Sequence, residues 1–177
     1  MIFVKGDEML VNDLCIVHRE TRLHEKNNKF NAITMKLTTQ VLIRATPSNV
    51  WSVFSAFNRY PNWNPFIKSI TGNVEVGKKM VAIIQPPGSK AMTFKPKVLS
   101  FVHHKELTWI GHLFFPGLFD GTHSFELVDN GDGTTTFIQS EVFAGILTPL
   151  FKLQLERNTK MGFEQMNNKL KELAESL

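Results

Sequence analysis

Gly121-Thr-His-Ser-Phe-Glu-Leu-Val-Asp-Asn-Gly-Asp-Gly-Thr-Thr-Thr-Phe-Ile-Gln-Ser-Glu-Val-Phe-Ala-Gly145 is the stretch from which the fold can be read. Asn130-Gly131-Asp132-Gly133 is a strong turn signal, because Gly and Asn tolerate positive φ and Asp bonds the backbone just ahead of it. The flanking segments, Gly121 to Asp129 and Thr134 to Phe143, alternate in polarity, as strands with one buried face do. On the first, His123, Phe125 and Leu127 share a face, with Ser124 and Glu126 opposite. On the second, Phe137, Gln139, Glu141 and Phe143 share one face and Thr136, Ile138, Ser140 and Val142 the other. Both faces of the second strand carry apolar residues, so two orientations are open. If the Phe-bearing face points inward, His123, Gln139 and Glu141 go with it. If Ile138 and Val142 pack inside, Gln139 and Glu141 face water.

Downstream of this hairpin the period changes. Leu147, Leu150, Phe151, Leu155, Phe163, Met166, Leu170, Leu173 and Leu177 fall on or near one helical face, with Pro149 in the first turn. The run predicts a helix of about 30 residues, roughly 45 Å long. Upstream, strands are predicted over Phe66 to Val74, Lys78 to Gln85, Thr93 to Val102 and Leu107 to Leu113, joined by short links such as Pro86-Pro87-Gly88-Ser89. Met35 to Arg44, rich in β-branched and aliphatic residues, is another strand. The total is seven, an α+β antiparallel meander with a long C-terminal helix. Between the first strand and the rest, Thr46 is placed to cap a helix that has Pro47 at its first position. Val50, Trp51, Phe54 and Phe57 give that helix its apolar side, and Asn58 to Pro65 reads as a turn or short helix.

The chain has 177 residues, of which 42% are hydrophobic and 20% charged, and this excludes a disordered or collagen-like chain. One domain is expected, residues 35–177, preceded by an N-terminal extension, residues 1–34, that is mixed in character and poorly periodic. This extension reads as a flexible leader or as a mis-assigned start, with Met35 the natural first residue. The net charge of +4 is small and the basic residues are spread out, so no nucleic-acid partner is predicted. Cys15 is the lone cysteine and rules out an internal disulfide. With no secretory signal and no apolar run of about 18 residues, the expectation is a cytoplasmic protein.

A seven-stranded antiparallel sheet twists and curls, and one helix about 10 Å across does not fill its concave side. The gap is closed by large side chains or left as a cavity, and 15 Phe allow either. A ligand pocket is marked by a few convergent polar groups among apolar walls. The predicted lining is Trp63, Phe94, Trp109, Phe115, Phe119 and Phe125, together with Phe137, Phe151 and Phe163, and with His123, Gln139 and Glu141 as polar anchors. His123 and Glu141, on adjoining strands, are also the candidates for an acid/base pair. Trp63 is a wall of the pocket base, or it belongs to a turn in which Asn64 bonds its own backbone. Four histidines, His103, His104, His112 and His123, lack the spacing of converging zinc ligands, and no metal or cofactor is predicted. Dinucleotide, P-loop, zincin and nucleophile-elbow motifs are missing from the sequence. The very apolar link Leu113 to Phe119 has three roles open to it: a pocket gate, a flap over the core, or a tip in transient contact with a membrane.

Taken as a set, several stretches resemble the SRPBCC superfamily, the START-related, birch-pollen-allergen-like helix-grip domains, and within it the polyketide cyclase/dehydrase-like subgroup. They are Thr46-Pro47-Ser48-Asn49-Val50-Trp51, Tyr60-Pro61-Asn62-Trp63-Asn64-Pro65, Pro116 to Leu127, Gly133 to Gly145, and Gly162-Phe163-Glu164-Gln165-Met166-Asn167. The resemblance covers about Met35 to Leu177. It implies the order β-α-α-β6-α, a seven-stranded antiparallel sheet wrapped around a long C-terminal helix, and a deep apolar pocket between them. It carries no catalytic motif across. The function expected is binding of a small hydrophobic or amphipathic molecule, lipid-like or polyketide-like. The rivals are a cyclase or dehydratase using His123 and Glu141, and a protein-interaction module docking through the Phe114 to Phe119 loop.

Overall fold

A computed structural model describes residues 34–177. Cys15 and all but the last residue of the expected extension lie outside them. Among the described residues eight strands form: β1 Thr34–Ile43, β2 Ile67–Gly72, β3 Met80–Ile84, β4 Met92–Phe94, β5 Lys97–Val102, β6 Glu106–His112, β7 Asp120–Asp129 and β8 Thr135–Ala144. All pairings are antiparallel, in a five-stranded sheet of order β1-β8-β7-β6-β5 and a three-stranded sheet of order β2-β3-β4.

The expected single seven-stranded sheet is therefore corrected to eight strands in two sheets. Pro96 supplies the physical reason. The segment predicted as one strand, Thr93 to Val102, divides around Lys95 and Pro96 into β4 and β5. Proline has no N–H to give to a ladder and is confined to edges and breaks in sheets. The two pieces go to different sheets, yet the seam stays bonded. Met80 N–H donates to Pro96 O (3.0 Å), Val98 N–H to Lys78 O (2.9 Å), and Lys79 bridges Lys97.

Helix α1, Pro47–Phe54, starts as its sequence predicts. Thr46 is extended, its hydroxyl accepts from the Asn49 amide at 3.4 Å, and Pro47 opens the first turn. Val50, Trp51 and Phe54 are its buried face. A 3₁₀ turn, Phe57–Arg59, leads into α2, Tyr60–Trp63, where the buried Tyr60 hydroxyl donates to Phe54 O at 2.7 Å. Burial pushes that phenol well above its ordinary pKa.

The expected long C-terminal helix forms, with a π turn inserted in it. It runs as α3, Thr148–Gln154, then a π turn, Leu155–Thr159, then α4, Lys160–Ala174. Phe163, Met166, Asn167, Leu170 and Ala174 form the buried stripe of α4 at helical spacing. Gly162 lets α4 lie against β2's flank, since a Cβ there would stand 2.3 Å from a Phe66 ring carbon. At its far end α4 is clamped to β1, with Arg44 N–H donating to Glu175 Oε1 (2.7 Å) and Lys171 Nζ to Leu42 O (2.6 Å).

In β7 and β8 the Phe-bearing faces point inward. His123, Phe125, Leu127, Phe137, Gln139 and Phe143 are buried, whereas Ile138 is half-buried and Val142 is exposed. The hairpin turn is held as its residues predict, with Asp129 Oδ1 accepting from Gly131 N–H (2.9 Å) and Asp132 Oδ1 from Thr134 N–H (3.0 Å). None of the described helices is long and apolar enough to cross a membrane.

Candidate functional site

The interior has a solid end and a hollow end. At the solid end α1 drives its aromatic face onto the sheet. Phe54 meets Phe125 at 5.1 Å and Phe137 at 5.6 Å between ring centroids, and Trp51 stacks on Phe101 at 5.5 Å. Among the described residues no element fills the other end to the same depth. There a cavity of about 100 Å³ lies among Phe66, Phe94, Trp109, Phe119, Phe143 and Leu155. It shares Met92, Phe94, Leu113, Phe119, Leu155 and Thr159 with an outer groove of about 470 Å³, whose rim adds Lys90, Phe151 and Asn158. Inner cavity and groove together reach the size range of small-molecule sites, roughly 300–1,000 Å³.

Phe94, Trp109, Phe119 and Glu141 of the expected lining are brought together in the cavity wall, and Phe151 stands in the groove. Phe125, Phe137, Phe163, His123 and Gln139 lie behind that wall, fully buried. They form a packed second layer in which the His123 ring stacks on Phe125 (4.3 Å) and Phe163 (4.8 Å). Alternation along a strand fixes the face of a residue and not its depth, and these five sit toward the plugged end or under their neighbours. Trp63 is half-buried against Tyr60 at 5.1 Å and does not border the cavity. Asn64 serves its turn, its Oδ1 accepting from the Phe66 (3.0 Å) and Ile67 (2.8 Å) amides. The apolar link splits in two. Phe119 turns inward onto Phe143 and Phe151, while Phe114 and Phe115 are 84% and 59% exposed.

The wall also contains residues that the sequence reading missed. Phe143 shares the inward face with Glu141 and was open to prediction from alternation alone. Ile84 and Met92 come from the second sheet, Phe66 from just ahead of β2 and Pro96 from the break between the two sheets, so their placement depends on how the chain crosses at that break. Leu155 and Thr159 reach the cavity from the π turn, where no Pro or Gly marks the departure from α geometry. π turns inserted in α-helices are frequent at functional sites.

Glu141 gives the wall its ionisable group. Its side chain is 15% exposed, and no hydrogen bond to its carboxyl is made by the described residues. The nearest cationic candidate is His123, with Nδ1 3.9 Å from Glu141 Oε2. Burial pushes the Glu141 carboxyl up to about 8 and the His123 imidazole down to about 3. Both directions favour neutral side chains, because taking a charge out of water without a partner is costly. Gln139 Nε2 lies 2.9 Å from His123 Nε2 and 3.9 Å from Met166 Sδ. This pair is one hydrogen bond, and the other imidazole nitrogen, Nδ1, is the one nearer Glu141. His123 Nδ1 and Gln139 Oε1 are buried with no hydrogen-bond partner among the described residues. At the outer edge the His112 ring donates from Nδ1 to Asp120 Oδ1 at 2.7 Å. Among the described residues no three His, Cys, Asp or Glu side chains converge as metal ligands.

Residues 34–175 match the model of the family described as polyketide cyclase / dehydrase and lipid transport. The chain belongs to that family. Solved structures show the same fold at low identity. The Zhui aromatase/cyclase from a Streptomyces species is 12% identical, with a TM-score of 0.65 over 81% of this chain and 94% of that one. A START superfamily protein from Mycobacterium smegmatis is 16% identical, with a TM-score of 0.63 over 80% and 97%. Norcoclaurine synthase from Thalictrum flavum, solved as a point mutant, is 16% identical, with a TM-score of 0.61 over 82% and 97%. The helix-grip architecture of the SRPBCC superfamily is thus the architecture of this chain. No curated protein sequence matches it.

Proposed function

We propose that the domain binds a small hydrophobic or amphipathic molecule, with its apolar body in the cavity and its remainder along the groove under the π turn. The observation that carries this reading is an apolar wall interrupted by one carboxyl that accepts no hydrogen bond from the described residues, at the hollow end of the sheet. Aromatic and aliphatic walls supply affinity in proportion to the area they remove from water. A family spanning cyclisation, dehydration and lipid transport is consistent with such a ligand. Acid/base chemistry would fall to Glu141, because His123 is sealed behind the wall and held neutral by burial. That argues against the His123–Glu141 pair as a catalytic dyad and favours binding.

Native mass spectrometry of freshly purified protein is the first test, and a co-purified small molecule is the expected result. Titration with an environment-sensitive anilinonaphthalene dye is the second. Saturable binding is expected, and it should be lost in Leu155→Trp, which fills the passage between cavity and groove. A dye that fails to saturate, or binds the variant equally well, overturns the proposal.

A further inference from the structure

The chemistry of the carboxyl narrows the ligand. We propose that the cavity selects an uncharged carbonyl compound whose oxygen accepts a hydrogen bond from the Glu141 carboxyl, and that Gly121 is the position that fits the carboxyl to this task. The inference rests on the binding reading above.

Three observations lead to it. A buried carboxylate ordinarily collects several N–H donors or a cation, and Glu141 has neither among the described residues. A carboxylic acid needs only one acceptor for its proton, and a carbonyl oxygen is the simplest uncharged acceptor a ligand brings. Second, the side chain is aimed by its neighbour strand. Gly121 pairs with Phe143 across β7 and β8, and a Cβ at Gly121 would stand 2.6 Å from Glu141 Oε1. The carboxyl therefore occupies space that every other residue type would deny it. Third, the surroundings offer nothing to a charged ligand. The cavity that Glu141 lines is otherwise walled by Phe66 just ahead of β2, by Ile84, Met92 and Phe94 of the second sheet, and by Leu155 and Thr159 of the π turn. From β7 the facing titratable group is His123. His112 and Asp120 are bonded to each other at the edge, and Lys90 stands on the outer groove. Glu156 and Arg157, on the same π turn, are exposed. A carboxylate ligand would meet a second carboxyl without a cation, and an ammonium ligand would bury an ion pair with no further hydrogen bonds, which is unfavourable.

The test uses four probes of matched length against the whole chain at neutral pH: nonane, methyl heptyl ketone, nonanoate and nonylamine, each displacing the anilinonaphthalene dye. The ketone is expected to bind about fivefold more tightly than nonane, as one net hydrogen bond allows, and both ions more weakly than the ketone. Gly121→Ala and Glu141→Leu should each erase the preference for ketone over nonane while nonane still binds. Glu141→Gln retains an N–H donor and should keep the preference. If no probe binds, the binding reading falls and this inference with it. If nonane and ketone bind equally, or nonylamine or nonanoate outbinds the ketone, the inference falls and the binding reading stands.

Discussion

The plugged and hollow ends of the interior are built from the same strands and the same residue types, and differ in what lies opposite. Under α1, the rings of Phe54, Phe125 and Phe137 interlock at centroid separations of 5.1 to 6.2 Å. Under the π turn, Phe119, Phe143 and Trp109 line open space. The lesson is that aromatic content alone does not decide between core and pocket. The decision lies with the covering element, a short helix with a full apolar face at one end and an interrupted helix at the other.

The largest effect should come from the plugged end. Phe125→Ala removes a fully buried ring packed on Phe54, Trp109 and His123. It should cost about 3–5 kcal/mol, read from urea unfolding midpoints. The same truncation at Phe119, on the cavity wall, should cost about 1 kcal/mol, because one side of that ring already lacks neighbours. Equal losses at the two positions would erase the distinction between the ends.

A middle-sized effect is expected on the boundary. Phe66 packs against Phe163 at 5.3 Å and also lines the cavity, and Gly162 gives it room. Gly162→Ala should destabilise by about 1–3 kcal/mol through overpacking, despite the better helix propensity of alanine. The displaced ring has the cavity to move into, so dye binding should weaken together with stability. A Gly162→Ala chain that is more stable than the native one, with unchanged dye binding, would show that the contact yields elsewhere.

The most gradual effect is a slope. Glu141 holds its proton up to about 8 when folded and releases it near 4.5 when unfolded, so stability falls as pH rises between those values. His123 works in the opposite sense. Its folded value of about 3 lies below the ordinary 6.5, so stability falls as pH drops through that interval. The two slopes oppose each other where the windows overlap and leave a net fall from 6.5 to about 8 that belongs to Glu141. Glu141→Gln removes it, and the stability gap between variant and native chain should widen by about 1.4 kcal/mol per pH unit there, seen in unfolding midpoints at stepped pH. A native chain with no such fall would mean that the carboxylate has a partner in solution.

Much of the fold was legible because its signals are local. The Asn130 to Gly133 turn, the Thr46 cap with Pro47, and the period-two faces of β7 and β8 each act within a few residues. The two faces of β8 could be listed for the same reason, but which of them points inward stayed open, because both carry apolar residues. Depth could not be read, because whether Gln139 borders a cavity or lies beneath Met166 depends on α4, far away in sequence. The break at Pro96 was present in the sequence, but its consequence, a strand shared between two sheets, depends on β3 and β6 on either side. The π turn left no mark in Leu155 to Thr159, so the cavity wall it supplies was hidden.

The register of β1 sets a timetable for synthesis. Among the described residues Thr34 to Ile43 pair with Thr135 to Ala144 alone, at the edge of the five-stranded sheet. A ribosome delivers these two partners about 100 residues apart, which at roughly 5–20 residues per second is on the order of five to twenty seconds. For that interval the first strand lacks the partner that β8 will supply. Completion of the five-stranded sheet on that edge therefore waits for β8.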